Sequence, residues 1–159
     1  MKSFAPHRRD ALRGLLALAL AAGAALPARA DAQHRVFAEN GVAIRGYDPV
    51  AYFTDGKPVR GRPEFHHSWR GATWRFASAA HRDRFAAHPD RYAPAYGGFC
   101  AWAVSEGYTA PIDPEAWRIV DGRLFLNYDR NIQRRWEADM PARISRADTN
   151  WPRVERAAR

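Results

Sequence analysis

The sequence predicts a single α+β domain in which two β-hairpins are packed with three or four short helices. Two turn signals, Arg70-Gly71 and Asp121-Gly122, each separate a pair of short strand-like segments. Asp48-Pro49 and Ser78 mark helix starts. Asp48 is expected to cap a helical turn that Pro49 opens, because proline suits the first helical position, and Ser78 is expected to cap the helix that follows it. All six tryptophans follow residue 30, which gives the 129 residues from there onward ample apolar surface for one core.

Residues 1–30 are typical of a secretory signal peptide. The first 13 residues hold four basic residues and one acid, the next 13 carry no charge, and two small-residue sites then predict cleavage after Ala30 or Ala32. A membrane-spanning helix needs roughly 20 apolar residues, so we expect no retained membrane anchor. Arg8-Arg9 favours twin-arginine export, while the Sec route stays open because ordinary leaders also carry arginines. The expected location is the periplasm or the cell exterior.

The formal charge of +8 does not indicate a nucleic-acid-binding protein. Half of it belongs to residues 1–30, which hold five basic residues and one acid, and the other arginines are scattered singly. The sequence contains no phosphate-binding loop, dinucleotide fingerprint, nucleophile elbow, zinc-protease motif or c-haem motif. We therefore expect no nucleic acid partner, and the sequence favours a binding protein over an enzyme.

The first hairpin has a predicted register, with Phe65–Trp69 and Ala72–Phe76 pairing about Arg70-Gly71. The expected cross-strand pairs on its aromatic face are Trp69/Ala72, His67/Trp74 and Phe65/Phe76. His66 falls on the polar face. The alternation therefore points His67 toward the interior and His66 toward water.

The other elements are predicted in chain order. They are a strand at 42–44, a helical turn at 49–53, a helix at 78–87 ended by His88-Pro89, a helix at 99–107, a hairpin of Trp117–Val120 with Arg123–Asn127, and helices at 129–139 and 141–152. Asp113-Pro114-Glu115 is expected to be a turn that opens a helix. Residues 31–41 are expected to be a loose lead-in to a domain over 42–152, and 153–159 a frayed tail.

Several short motifs resemble the YHS domain. They are Asp48-Pro49-Val50, then Trp74-Arg75-Phe76-Ala77-Ser78-Ala79-Ala80-His81, then Phe85, Pro89 and Tyr92, so the resemblance covers about residues 42–92. The continuation from Tyr96-Gly97-Gly98-Phe99-Cys100-Ala101 to Asn150-Trp151-Pro152 looks like the longer exported YHS proteins. The resemblance implies a small α+β fold and a metal-binding module of the kind found in metal-transport ATPases and oxygenase-associated proteins.

This chain departs from the family at its cysteine positions. The resemblance places the family's three cysteines at Ala51, Ala77 and His81, so only His81 keeps a side chain that can bind a metal ion. The fold prediction does not depend on these residues, whereas the metal function does.

Cys100, the only cysteine, is the first candidate for chemistry. It follows Gly97-Gly98 at the start of a predicted helix, where free N–H groups and the helix dipole favour a thiolate. A thiolate could bind a soft metal ion or react as a redox nucleophile. The alternative is a buried small apolar residue, which is a common fate of cysteine and fits its neighbours Phe99 and Trp102.

His81 and His67 are the supporting candidates, since both are predicted to face inward and imidazole can replace thiolate at zinc or copper. Either can equally be a hydrogen-bonded core residue. Structural zinc usually takes four protein ligands, whereas copper(I) accepts fewer, so copper is the favoured cofactor if a metal is bound.

The sequence leaves three functions open. The leading prediction is an exported protein that binds a soft metal ion through Cys100 with His81 or His67, and whose partner is a metal-handling or redox protein. The second is thiol redox chemistry at Cys100, which would need an external thiol because the chain has no second cysteine. The third is a non-catalytic interaction domain that has lost the family's metal site.

Overall fold

The structure is a computed structural model and describes residues 34–157. The predicted signal peptide, its Arg8-Arg9 pair and its cleavage sites lie outside the described residues. Within 34–157, no helix combines the length and the apolar character that crossing a membrane requires.

Four strands form the first sheet, in the spatial order β1-β2-β4-β3. They are β1 (Ala38–Glu39), β2 (Val42–Ala43), β3 (Arg62–Trp69) and β4 (Ala72–Phe76). The pairs β1/β2 and β3/β4 are antiparallel, and β2 lies parallel to β4 where Val42 faces Thr73. The sheet therefore joins the first predicted hairpin to the segment that precedes it.

The register of the first hairpin is confirmed near its turn and differs at its far end. The observed pairs are Trp69/Ala72, Ser68/Thr73, His67/Trp74 and His66/Arg75. The predicted Phe65/Phe76 pair is wrong, because Phe76 faces Arg62 across an irregularity in β3. Pro63 lies in that irregularity and has no N–H to donate to the ladder.

The second sheet is the predicted hairpin of β5 (Asp113–Val120) and β6 (Arg123–Asn127). Asp121 and Gly122 both have positive φ, 49° and 75°, as a tight two-residue hairpin turn requires. The expectation that Asp113-Pro114-Glu115 opens a helix is wrong. Asp113 pairs with Asn127, so the segment is part of β5. The Asp113 side chain accepts the Glu115 N–H at 2.9 Å where the ladder is irregular between Asp113 and Trp117.

The described residues contain six α-helices, of which two are single turns: one falls at the predicted helical turn of 49–53, and the other, at 89–92, was not predicted. The six helices are α1 (Ala51–Thr54), α2 (Ala79–Ala87), α3 (Pro89–Tyr92), α4 (Ala101–Ser105), α5 (Arg130–Glu137) and α6 (Met140–Arg156). Ser78 caps α2 as predicted, with its hydroxyl accepting the His81 N–H at 3.1 Å. The α+β class with two hairpins is confirmed.

Both ends of the domain are more ordered than the sequence predicts. Residues 38–39 of the expected loose lead-in form β1, and Phe37 is buried. Helix α6 continues through Pro152 instead of ending there, because Val154 is buried and its carbonyl accepts from Arg35 at 3.2 Å. Packing thus outweighs the hydrogen bond that a proline removes from a helix interior.

The core consists of two adjoining apolar clusters. One contains Trp74, Phe76 and Phe85 of the first hairpin and α2, and the other contains Phe125 and Trp136 of β6 and α5. Phe99 and Trp102 pack against both clusters, so the segment before and within α4 joins them.

Candidate functional site

The carboxylate of Asp48 lies at the centre of the most densely hydrogen-bonded polar group in the first half of the described chain. Asp48 is fully buried, in the segment just before α1. Its Oδ1 accepts the backbone N–H of Val50 at 2.8 Å and of Ala51 at 3.3 Å. Its Oδ2 accepts the backbone N–H of Ala77 at 2.9 Å. The helix-capping role predicted for Asp48 is therefore confirmed, and the residue also ties α1 to the end of β4.

His81 completes this group from the first turn of α2. Its Nδ1 lies 2.7 Å from Asp48 Oδ2, and the side chain is 14% exposed. A carboxylate acceptor at this distance requires the proton on Nδ1, which fixes the ring orientation and leaves Nε2 on the outer side. Four N–H donors thus surround the buried carboxylate, which is how a buried charge is stabilised in a folded protein.

The Nε2 atom of His81 lies close to the hydroxyl of Thr54, which has several possible hydrogen-bond acceptors. Thr54 Oγ1 lies 3.3 Å from His81 Nε2, 3.2 Å from the Val50 carbonyl and 2.7 Å from Asp55 Oδ1. A hydroxyl has one hydrogen to donate. When Thr54 donates to Asp55, its shortest contact, the Nε2 lone pair of a neutral His81 is left without a donor from this residue.

The three family cysteine positions converge on Asp48. Ala51 and Ala77 each present a backbone N–H to its carboxylate, and His81 presents its ring. The sequence resemblance named these positions separately, and the fold brings them together from α1, the residue after β4 and α2. Of the three positions, only His81 carries a side chain that can bind a metal ion.

Cys100 lies apart from this group in the apolar core. It precedes α4 and is 1% exposed, among residues that include Phe37 and Ile44. Its thiol points to Asn127 Oδ1 at a long 3.8 Å. Burial raises the pKa of the Cys100 thiol, and the backbone N–H groups of α4 and of Tyr128 offset this only in part. The expected activated thiolate is therefore not what the fold produces, and the buried alternative describes Cys100 better.

His67 faces the interior as predicted, while His66 is exposed. The His67 ring packs edge-on against Phe85, with centroids 6.2 Å apart. His66 Nδ1 lies 2.9 Å from the Pro63 carbonyl. The contact with Phe85 gives His67 an aromatic packing role in the first cluster.

The predicted ligands are not assembled into one metal centre. Within residues 34–157, no three His, Cys, Asp or Glu side chains are grouped closely enough to hold a metal ion. The donors do not fit a four-ligand structural zinc site. The one donor suited to a soft metal ion is the Nε2 atom of His81. The other ring nitrogen of His81 is held by a carboxylate, as is usual for histidines that bind metals.

The role of Asp48 beyond helix capping was missed by the sequence interpretation. The partner, His81, is 33 residues away, so no local pattern links the two. The signal was present in the resemblance, because the Asp-Pro-Val motif and the three cysteine positions belong to one family pattern.

The comparisons with known proteins agree with the resemblance. The family model of the YHS domain matches residues 50–96, which include Ala51, Ala77 and His81 and leave Cys100 outside. No curated protein and no solved structure matches the chain. Residues 50–96 carry the motif positions gathered around Asp48, and it is this segment of the chain that is similar to the YHS domain.

Proposed function

We propose that this chain is an exported metal-handling protein that takes a soft metal ion, with copper favoured, as cargo at His81. The observation that carries the proposal is the Asp48–His81 pair at the convergence of the family's cysteine positions. The carboxylate holds Nδ1, so Nε2 is the nitrogen available to a metal ion. The export component rests on the leader-like residues 1–30.

The chemistry of the site favours a transferable ion over a resident one. One imidazole supplies one ligand, and copper(I) is the soft ion that accepts few ligands, including nitrogen and sulfur. A metal-handling partner would supply the second ligand, which makes exchange between the two proteins direct. Cys100 is a core residue in this proposal, and its mutation is a control.

The test is a titration of the purified chain with copper(I) and, separately, zinc(II). Near-stoichiometric copper binding should disappear in His81→Ala and persist in His66→Ala, which removes an exposed histidine from β3. Cys100→Ala should bind as the wild type does. Copper binding that survives His81→Ala, or that is lost only in Cys100→Ala, would contradict the assignment of the site.

A second candidate function, a non-catalytic interaction domain, is favoured by Ala51 and Ala77. Both lack metal-binding side chains, and their N–H groups are used by Asp48. Absence of copper binding in the wild type, together with loss of stability in His81→Ala, would favour this candidate, because the Asp48–His81 pair would then have a structural role alone.

A further inference from the structure

Two exposed residues border the Nε2 side of His81: Thr54, the last residue of α1, and Asp55, which follows it. Each donates its backbone N–H to a carbonyl one turn earlier, at 3.1 Å for Thr54 and 2.8 Å for Asp55. The His81 ring is held from its other side by Asp48 at 2.7 Å. Thr54 Oγ1 therefore lies 3.3 Å from His81 Nε2 in a position that α1 and the buried carboxylate set together.

The hydroxyl hydrogen of Thr54 has three acceptors within reach, and one of them competes with a metal ion. The acceptors are Asp55 Oδ1 at 2.7 Å, the Val50 carbonyl at 3.2 Å and His81 Nε2 at 3.3 Å. A neutral imidazole with its proton on Nδ1 has one lone pair, on Nε2, and a metal ion needs that lone pair. A hydrogen bond from Thr54 to Nε2 would occupy it.

Distance and charge both direct the hydroxyl hydrogen to Asp55. O–H···O bonds ordinarily span about 2.5–3.0 Å, a range that includes the Asp55 contact and excludes the contact with the Val50 carbonyl. An ionised acceptor also makes a hydrogen bond roughly twice as strong as a neutral one does. The hydrogen of Thr54 is thus drawn away from His81, and a lone pair of its oxygen faces Nε2 instead.

We propose that Asp55 is a positioning residue for the metal site, which keeps the Nε2 lone pair of His81 free by holding the hydroxyl hydrogen of Thr54. This inference rests on the proposed metal function of His81 and adds to it two residues outside the family's cysteine positions. Asp55 acts through the hydroxyl, so its effect should disappear when Thr54 has none.

The experiment measures copper(I) affinity in a graded series at position 55. Asp55→Asn keeps a neutral acceptor and Asp55→Ala removes it, so affinity should fall from aspartate to asparagine to alanine, by about fivefold in Asp55→Ala. Thr54→Val should bind copper at least as tightly as the wild type, and adding Asp55→Ala to it should change nothing. Asp83→Asn is the matched control, because it removes an exposed acid of α2 two residues from His81 and should leave the affinity unchanged.

A second measurement needs no metal ion. The nitrogen NMR chemical shift of His81 Nε2 changes when this atom accepts a hydrogen bond, and it is read in the apo-protein from the neutral ring. We expect the same shift in the wild type and in Thr54→Val. The shift should move in Asp55→Ala and return in the double variant.

The two measurements separate this proposal from the metal function. Equal copper affinity in Asp55→Ala and the wild type would overturn it, as would a loss that persists in the Thr54→Val background or an equal loss in Asp83→Asn, which would assign the effect to charge alone. A wild type that binds no copper would refute the proposed function. The chemical shifts then decide on Asp55 by themselves, and an unchanged shift in Asp55→Ala would refute its role.

Discussion

Replacement of Asp48 by asparagine tests the carboxylate-centred site directly. Asparagine keeps one oxygen, so it can accept either from Val50 and Ala51 or from Ala77 and His81. Its NH₂ group then faces the other two donors. A buried donor without an acceptor costs about 1–3 kcal/mol, so two such donors predict a loss of about 2–6 kcal/mol.

That loss is large beside the roughly 5–15 kcal/mol by which small domains are stable. The assay is urea unfolding followed by tryptophan fluorescence and circular dichroism, with the midpoint and the slope both fitted. Asp55→Asn is the matched control, because Asp55 is exposed and accepts only from Thr54 among the described residues. We expect that control to change the free energy of unfolding by about 0.5 kcal/mol or less.

A double-mutant cycle then isolates the contact between Asp48 and His81. Asp48→Asn, His81→Ala and the double variant should show a coupling of about 1 kcal/mol or more, as contacting residues in one hydrogen-bond network do. Purely additive losses, or a loss below about 1 kcal/mol for Asp48→Asn, would refute the view that the carboxylate organises this region.

Three further predictions concern other parts of the domain. Burial raises the pKa of Cys100, so its contribution to stability should be intact below about pH 8.5 and decline at higher pH, where the thiol ionises in the unfolded chain. Cys100→Ala should flatten this decline in the free energy of unfolding between about pH 8.5 and 10. Native Cys100 should also react slowly with a thiol reagent at neutral pH. The Arg123 guanidinium lowers the pKa of Asp148, so the stabilisation from this pair should be present above about pH 4 and lost as the pH falls further. In Asp148→Asn, the free energy of unfolding should therefore fall less steeply with decreasing pH in the acid range. Gly97→Ala should cost about 2 kcal/mol or more beyond Gly41→Ala in urea unfolding, because both glycines have positive φ but only a Cβ at Gly97 would overlap a backbone carbonyl; equal losses would contradict this steric argument.

Local signals predicted the hairpins because the decisive interactions lie close together along the chain. Asp121-Gly122 supplies the turn conformation, and the alternation of His66 and His67 gives the register of the first hairpin. The errors arise where a distant partner decides. Asp113 becomes part of a strand because it pairs with Asn127, and α6 passes through Pro152 because Val154 is buried.

The candidate site shows the same division. Capping by Asp48 follows from the local Asp-Pro motif, whereas the contact with His81 needs α2 to pack beside α1. The position of Cys100 before α4 was predicted, but its chemical state was not. The helix-start argument considers nearby N–H groups only, while burial among Phe37 and Ile44 dominates the pKa of its thiol.

The chemical identity of the site therefore depends on one side chain. The N–H groups that Ala51 and Ala77 give to Asp48 belong to the backbone, so cysteine or alanine at these positions could donate the same hydrogen bonds. The imidazole is different, because only the side chain of His81 joins α2 to the carboxylate and also presents a second nitrogen outward. Alanine at the two positions therefore keeps the backbone hydrogen bonds to Asp48, and the metal binding proposed for this protein depends on His81.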